Sequence, residues 1–467
     1  TTRLRRKILQ QKILYLQNRK GGIIMFKKKN NNKKETNKLE KIIHKINIFN
    51  KLNQKEKHVF NFKELLNKIN ILKKIRISET FSYKEVIAIV IFSMAIGGLC
   101  VFSLMNVFTN GNYITLTKDF NKLIKTYNTI TSKYYGEIDK QELIDNAIAG
   151  MLATVSDPYT TYIDTETTES FLERVKGTYN GIGCEVYVDN DKNITVGNVF
   201  DNSPSAKAGL QKGDIILEVD GKNYEGKKST DVSNYIKKAN GTITLKIKRN
   251  DEVLSIKLKP KKVEIPSVST EIYERNNKKI GYMYISIFSS VTDTQFNKKL
   301  KELEKEGITA LVIDVRQNTG GYLDVVTNML DTILPKGKII YQLEDKTGTT
   351  KKYSTSEHKK EYPIAVLVDK VSASASEILA SSIKESYGGY VVGINTYGKG
   401  TVQQTFDLDD GSMIKYTTQK WLTPNGNWIN EVGVEPTDKV ELKEDYYNNP
   451  TADNDNQLQT ALDLVSK

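Results

Sequence analysis

Residues 363–403 read PIAVLVDKVSASASEILASSIKESYGGYVVGINTYGKGTVQ, and their rhythm decides the fold of the C-terminal half. IAVLVD is a short apolar run that predicts a buried strand, SEILASSIKES predicts a helix, and YVVGIN predicts a second strand. The same alternation begins earlier. IGYMYISI and ALVIDV read as strands, while FNKKLKELEKEG, closed by Gly307, and LDVVTNMLDTIL read as helices. A repeated βαβ rhythm implies a largely parallel sheet covered by helices, with functional groups gathered in the loops beyond the strand ends.

Working outward, Gly177 to about Ile265 changes period. CEVYV, NITVGNVF, DIILEVDG, ITLKIKR and VLSIKLK are short β-rich pieces separated by turns. With Ser203-Pro204-Ser205-Ala206-Lys207-Ala208-Gly209-Leu210 and Lys212-Gly213-Asp214 between them, this segment resembles a PDZ domain of the bacterial protease type. Gly181-Ile182-Gly183 takes the place of the loop that receives a peptide C-terminus. Glycines there let backbone N–H groups converge on a carboxylate, and the adjoining edge can accept an added strand. A PDZ used only as a spacer or lid is the structural alternative. Further upstream, Phe120, Leu123, Ile124, Tyr127 and Ile130 recur at helical spacing. Leu143, Ile144, Ala147, Ile148, Met151 and Leu152 mark a second helix that ends before Asp157-Pro158.

Charge is divided just as sharply. The chain of 467 residues has a formal net charge of +13, yet residues 1–85 alone carry 24 Lys+Arg against 6 Asp+Glu. The remainder is therefore slightly acidic. Val86–Phe108 follows as 23 residues without a charged side chain, enough to span roughly 30 Å of hydrocarbon. The bulky Asn106-Val107-Phe108-Thr109 offers no small-x-small cleavage pattern, which favours a retained anchor. The basic flank then places the N-terminus in the cytoplasm and everything after the span outside it. Gly21-Gly22-Ile23-Ile24 ahead of Met25 reads as a translated ribosome-binding site, so synthesis is expected to begin at Met25. Because the positive charge sits in a low-complexity cytoplasmic tail, nucleic acid is not an expected partner. Hydrophobic content of 38% with 27% charged residues excludes a disordered chain and a polytopic membrane protein. Two cysteines exclude a disulfide framework and a zinc ribbon.

Of three histidines, His44 and His58 precede the span, and only His358 follows it, in the polar YSTSEHKKEY. A Ser–His–Asp triad, a histidine zinc site and an H-E-x-x-H motif are thereby disfavoured. An exported hydrolase would need another base, and lysine can serve. VSASASE, Val371–Glu377, supplies serines where a strand passes into a helix. YGKGTVQ, Tyr397–Gln403, supplies Lys399 between Gly398 and Gly400, so that loop can be tight. Taken singly these signals are weak. Ser374 with Glu377 is also an S-x-x-E capping box, and a lone loop lysine is usually solvated.

Together they are specific. From about Phe120 to Val440 the chain resembles a carboxyl-terminal processing peptidase (tail-specific protease). DPYTTYI, the PDZ, DVRQNTGG, SASASE, GKGTVQ and WLTPNG occur in the family's order. The resemblance implies Ser374 as nucleophile, Lys399 as general base and Gln403 orienting the lysine. It also implies an oxyanion hole from the amides of Ala375 and one of Gly320-Gly321, with Gly321 favoured. A lysine must lose its proton to act as a base, and burial away from counter-charges lowers its pKa towards neutrality. Gln403 could bind the amine without adding a charge. Gln317 and Thr319 stand where Asn and Pro are commoner, which leaves the rigidity of the glycine loop open. In VGVEPTDKV, Thr437 intrudes between Pro436 and Asp438.

The expected fold is a multidomain α+β chain. Residues 1–85 form a basic cytoplasmic segment, 86–108 a transmembrane anchor and 109–176 a helical region. Residues 177–265 form the PDZ domain, 266–445 an α/β peptidase core with a mostly parallel sheet, and 446–467 a helical tail. The expected activity is a membrane-anchored extracytoplasmic serine endopeptidase that takes proteins or peptides by their C-termini, with no metal or cofactor. Oligomeric state is open, a homodimer being one alternative because some relatives in the family dimerise. Two rival readings stand beside it. One is a membrane-anchored PDZ receptor with a dead peptidase fold. The other is a penicillin-binding acyltransferase using Ser381-Ser382-Ile383-Lys384 and Lys346-Thr347-Gly348, although the order is reversed and S-D-N is missing.

Overall fold

The computed structural model describes residues 82–108, 113–357 and 360–467. Met25 and all three histidines, with the basic segment up to residue 81, lie outside the described residues. The chain divides into two compact units at Thr126. In the first, Tyr83–Phe108 is one helix of 26 residues. Its start is capped reciprocally: the Ser82 N–H donates to Glu85 Oε2 at 2.8 Å, and the Glu85 N–H to Ser82 Oγ at 3.4 Å. By length and composition its Tyr83–Met105 stretch is apolar enough to cross a membrane, with a mean hydropathy of 2.5.

The second unit opens with helices and a turn. Lys140–Ala153 is capped by Asp139, whose carboxylate accepts from Gln141 and Glu142 N–H. Asp157-Pro158-Tyr159-Thr160 then forms a turn in which Asp157 accepts from the Tyr159 N–H at 3.1 Å and the Thr160 hydroxyl at 2.6 Å.

The PDZ sheet runs Cys184–Val188, Ile194–Val199, Ile215–Val219, Ile243–Arg249, Glu252–Leu258, all antiparallel, with Lys222–Asn223 beside the third strand. Alternation explains the strands: Ile243, Leu245 and Ile247 are buried with Val196, Val219 and Val232, while Lys246 faces water. Thr178–Gly181 pairs with Lys261–Glu264, joining the domain's entry and exit.

The peptidase half holds a six-stranded sheet in the order Val268–Arg275, Lys278–Ile285, Ala310–Asp314, Ile364–Val368, Tyr390–Gly393, Asp438–Lys439. Only the first pairing is antiparallel. Its central strands are buried on both faces. Leu311, Ile313, Val366 and Val368 face helices Thr292–Lys305, Leu323–Ile333 and Ala375–Ser382, meeting Phe296, Leu300, Met329, Leu330 and Leu379. Ala310, Val312, Ala365 and Leu367 face the C-terminal helix Asn456–Val465 through Leu458, Ala461, Leu462 and Val465. The helix therefore completes the core. Leu462→Ala should cost about 2–5 kcal/mol, read as a lower urea midpoint. An unchanged midpoint would show that the helix contributes nothing to the folded core.

A second, antiparallel sheet is built on the long strand Met413–Leu422. That strand pairs with Thr401–Asp407, Thr161–Ile163 and Ile339–Asp345, the last continuing to Gly348–Tyr353. The helix expected over SEILASSIKES is α-helical from Ala375 to Ser382 and then widens into a π-turn over Ile383–Tyr387.

Candidate active site

The serine loop and the lysine loop both follow parallel strands, Ile364–Val368 and Tyr390–Gly393. Ser374 enters its helix with φ 56° and ψ −113°, a backbone position unfavourable to a residue with a Cβ. Its N–H donates to Glu377 Oε2 at 2.7 Å, the backward arm of a capping box. The same oxygen accepts the Lys399 N–H at 2.9 Å. The other oxygen accepts the Thr396 hydroxyl at 2.6 Å and the Gly398 N–H at 2.7 Å. Glu377 is fully buried. One carboxylate thus ties the backbone of Ser374 to that of Lys399. Burial pushes its carboxyl above the usual range, and the four donors pull it back.

Close approach explains the glycines of GKG. A Cβ on Gly398 would lie 2.9 Å from the backbone nitrogens of Glu431, Val432 and Gly433, and one on Gly400 would lie 2.7 Å from Trp428 Nε1. Trp421 Nε1 donates to the Lys399 carbonyl at 2.7 Å, and Trp428 Nε1 to the Gly400 carbonyl at 2.9 Å. Burial, with Lys415 nearby, lowers the Lys399 pKa to about 8, while Glu377 and Asp157 oppose the shift.

DVRQNTGG lies against the serine. A Cβ on Gly320 would meet Ala373 O at 2.7 Å and Ser374 Cβ at 2.9 Å. The loop is pinned despite its unusual residues. Asn318 is fully buried, donates to Ile285 O, accepts the Gly320 N–H on Oδ1, and accepts Ala373 N–H and Ser376 Oγ–H on its carbonyl. Gln317, at φ 61°, donates to Asp369 from both backbone and side chain. The Gly320 N–H is therefore used, whereas those of Gly321 and Ala375 have no acceptor among the described residues. Arg316 anchors the loop's start between Asp314 and Asp455, at 2.6 and 2.7 Å.

Among the described residues Gln403 makes no hydrogen bond to the lysine amine. Its Nε2 donates to Thr401 Oγ1 at 2.9 Å and Thr417 Oγ1 at 3.2 Å, across the strand pair that carries it. Lys399 Nζ lies instead over the ring of Tyr159, 4.8 Å from its centroid.

Comparison with known proteins places this arrangement. Residues 279–440 match peptidase family S41, 181–259 a PDZ domain, and 105–167 the N-terminal domain of the activating protease CtpB. Over 338 residues the chain is 41% identical to the carboxy-terminal processing protease CtpB of Bacillus subtilis (strain 168), covering 71% of this chain and 69% of that one. The chain belongs to peptidase family S41. The carboxy-terminal processing protease CtpA of the same strain is 37% identical over 338 residues, covering 72% of each. A probable CtpA-like serine protease of Staphylococcus aureus (strain COL) is 36% identical over 323 residues, covering 68% of this chain and 64% of that one. The protein is a serine-type, carboxy-terminal processing protease with a PDZ domain.

In this S41 chain, Gly181, Ile182, Cys184, Val186, Phe200, Val232 and Ile236 line a cavity of about 390 Å³. It lies between the edge strand Cys184–Val188 and the helix Ser229–Lys238. Gly183 has φ 78°, and a Cβ there would fall 2.3 Å from Ser203 Cβ, so the loop requires glycine. The S-x-x-K pair does not converge: the Ser381 hydroxyl is buried on Ile378 O, and Lys384 Nζ donates to Glu435 O. Sequence reasoning missed Tyr159 and the double reach of Glu377. DPYTTYI was conspicuous as a motif, but nothing in its spacing says which loop it meets.

Proposed function

We propose that this protease uses a Ser374–Lys399 mechanism and is held to a membrane by Tyr83–Phe108, with the PDZ and peptidase domains outside the cytoplasm. The observation that carries the reading is the shared carboxylate. It joins the backbone of a strained serine at a helix N-terminus to that of a half-buried lysine whose pKa is lowered to about 8. The neutral amine takes the Ser374 proton as Oγ attacks the scissile carbonyl carbon. The free N–H groups of Gly321 and Ala375, at the positive end of the helix, receive the oxyanion. Lys399 returns the proton to the leaving amine. Water, deprotonated by the same lysine, then hydrolyses the acyl-enzyme. Gln403 holds the amine once it turns inward. The Gly181-Ile182-Gly183 loop takes a substrate's C-terminal carboxylate, and apolar C-terminal side chains suit the groove beside it. The basic segment before the span supports a cytoplasmic N-terminus.

The test is covalent. A fluorophosphonate probe should modify Ser374, read by peptide mass spectrometry, and Lys399→Ala should abolish the adduct. Labelling of another serine, or equal labelling of the variant, would overturn the assignment.

A further inference from the structure

The cation-on-ring contact between Lys399 and Tyr159 has no role in the mechanism above. Tyr159 is not a free surface ring. Its turn is closed by Asp157 and fastened to the second sheet, where the Thr417 N–H donates to Thr160 Oγ1 at 3.2 Å. That strand also carries Thr417 Oγ1, which receives the Gln403 amide. The turn thus fixes a ring face opposite the base, and Lys399 Nζ has no hydrogen-bond or ion-pair partner among the described residues. An aromatic face attracts an ammonium and has nothing comparable to offer a neutral amine.

We propose that Tyr159 is a positioning residue for the base: its ring is the resting seat of the charged Lys399, which must leave that seat to reach Ser374. The inference rests on the Ser–Lys reading. The groups facing the amine are Glu377 from the serine helix, Asp157 and Tyr159 from the turn and Lys415 from Met413–Leu422, while Tyr397 from the lysine's own loop faces Tyr159. Asp157 is held below the usual carboxylate range by bonds from Thr160, Thr417 and the Tyr159 N–H, which outweigh its burial. Burial, with Tyr397 alongside, pushes the Tyr159 phenol up to about 12, so the ring stays neutral. Burial, with Arg174 nearby, also lowers the Lys415 amine, and burial raises the Glu377 carboxyl, so a readout on Lys399 itself isolates the seat.

The sign of the effect separates a seat from a lid. Removing a ring that favours the ammonium lowers the lysine pKa, whereas opening the site to water raises it. In full-length protein, Tyr159→Leu should move the acid limb of kcat/KM down by about one pH unit, and Tyr159→Phe should keep the wild-type limb. A readout independent of turnover is trace acylation of Lys399 by acetic anhydride across pH. Followed by mass spectrometry in a Ser374→Ala background, its midpoint should fall by about the same unit when Tyr159→Leu is added. An unchanged or raised midpoint, or a Tyr159→Phe shift as large as that of Tyr159→Leu, overturns the seat. Full activity of Lys399→Ala would instead overturn the Ser–Lys reading beneath it.

Discussion

Lys399→Ala lowers kcat/KM by about three to four orders of magnitude, and Lys399→Arg does the same. The second variant gives the prediction its force. Arginine keeps the charge and most of the bulk but stays protonated at every accessible pH, so it cannot take the Ser374 proton. A lysine needed only for positive charge would be replaced well by arginine. The wild-type pH profile follows from the same group. With its pKa lowered to about 8 by burial and by Lys415, the amine is neutral above that value and charged below it. Activity therefore rises with pH through about 8 and falls tenfold per unit on the acid side, leaving about one per cent of the plateau at pH 6. The measurement is kcat/KM on an unfolded protein with an apolar C-terminus, from pH 5 to 9. A Lys399→Arg enzyme retaining a tenth of wild-type activity would sink the assignment.

What was legible in the sequence follows from how locally each feature is encoded. The parallel strands were plain because both faces are covered, so IAVLV and ALVI are apolar at every position. The PDZ strands were plain because one face is solvated and the residues alternate. The second sheet was not read, since Met413–Leu422 and Thr401–Asp407 are half-exposed ribbons of mixed Thr, Gln and Lys with no clean period. Motif order singles out Ser374, Lys399 and Gly321 as candidates, yet the motifs do not say what holds them in place. Arg316 reaches Asp455 across 139 residues of sequence, and Tyr159 meets Lys399 from the far side of the PDZ domain. Such pairings arise from tertiary packing and leave no short-range trace. Glu377 was visible only as a capping residue, because a capping box accounts for one of its oxygens and is silent about the other.

That second oxygen makes Glu377→Gln the next most damaging change. The carboxylate accepts two hydrogen bonds on each oxygen, and three of the four donors are backbone N–H groups that cannot turn round. An amide presents N–H₂ where one oxygen was. Turned towards Ser374 and Lys399, it strands both of their N–H groups. Turned towards Thr396 and Gly398, it strands the Gly398 N–H. The Thr396 hydroxyl could reverse only by giving up its own donation, since it already accepts the Val434 N–H at 2.6 Å. At least one buried donor is lost either way, a cost of about 1–3 kcal/mol, partly offset because a buried charge has gone. Activity suffers more than stability. Beside the backbone bond from the Tyr397 N–H to Ser372 O at 3.0 Å, this carboxylate is what joins the serine and lysine loops at Ser374 and Lys399, and a misplacement of about 1 Å lowers turnover by about a hundredfold. The pH profile gives a third signature with a fixed sign. Glu377 raises the Lys399 pKa, so removing its charge shifts the acid limb to lower pH while the plateau falls. Glu377→Asp, one methylene shorter, keeps the charge but cannot span both loops, so its plateau should fall without that acidward shift. Urea unfolding and a pH profile on the two variants read all three quantities. An unchanged plateau and midpoint in Glu377→Gln would mean that the Tyr397–Ser372 backbone bond and the tryptophan bonds hold the loops without the carboxylate.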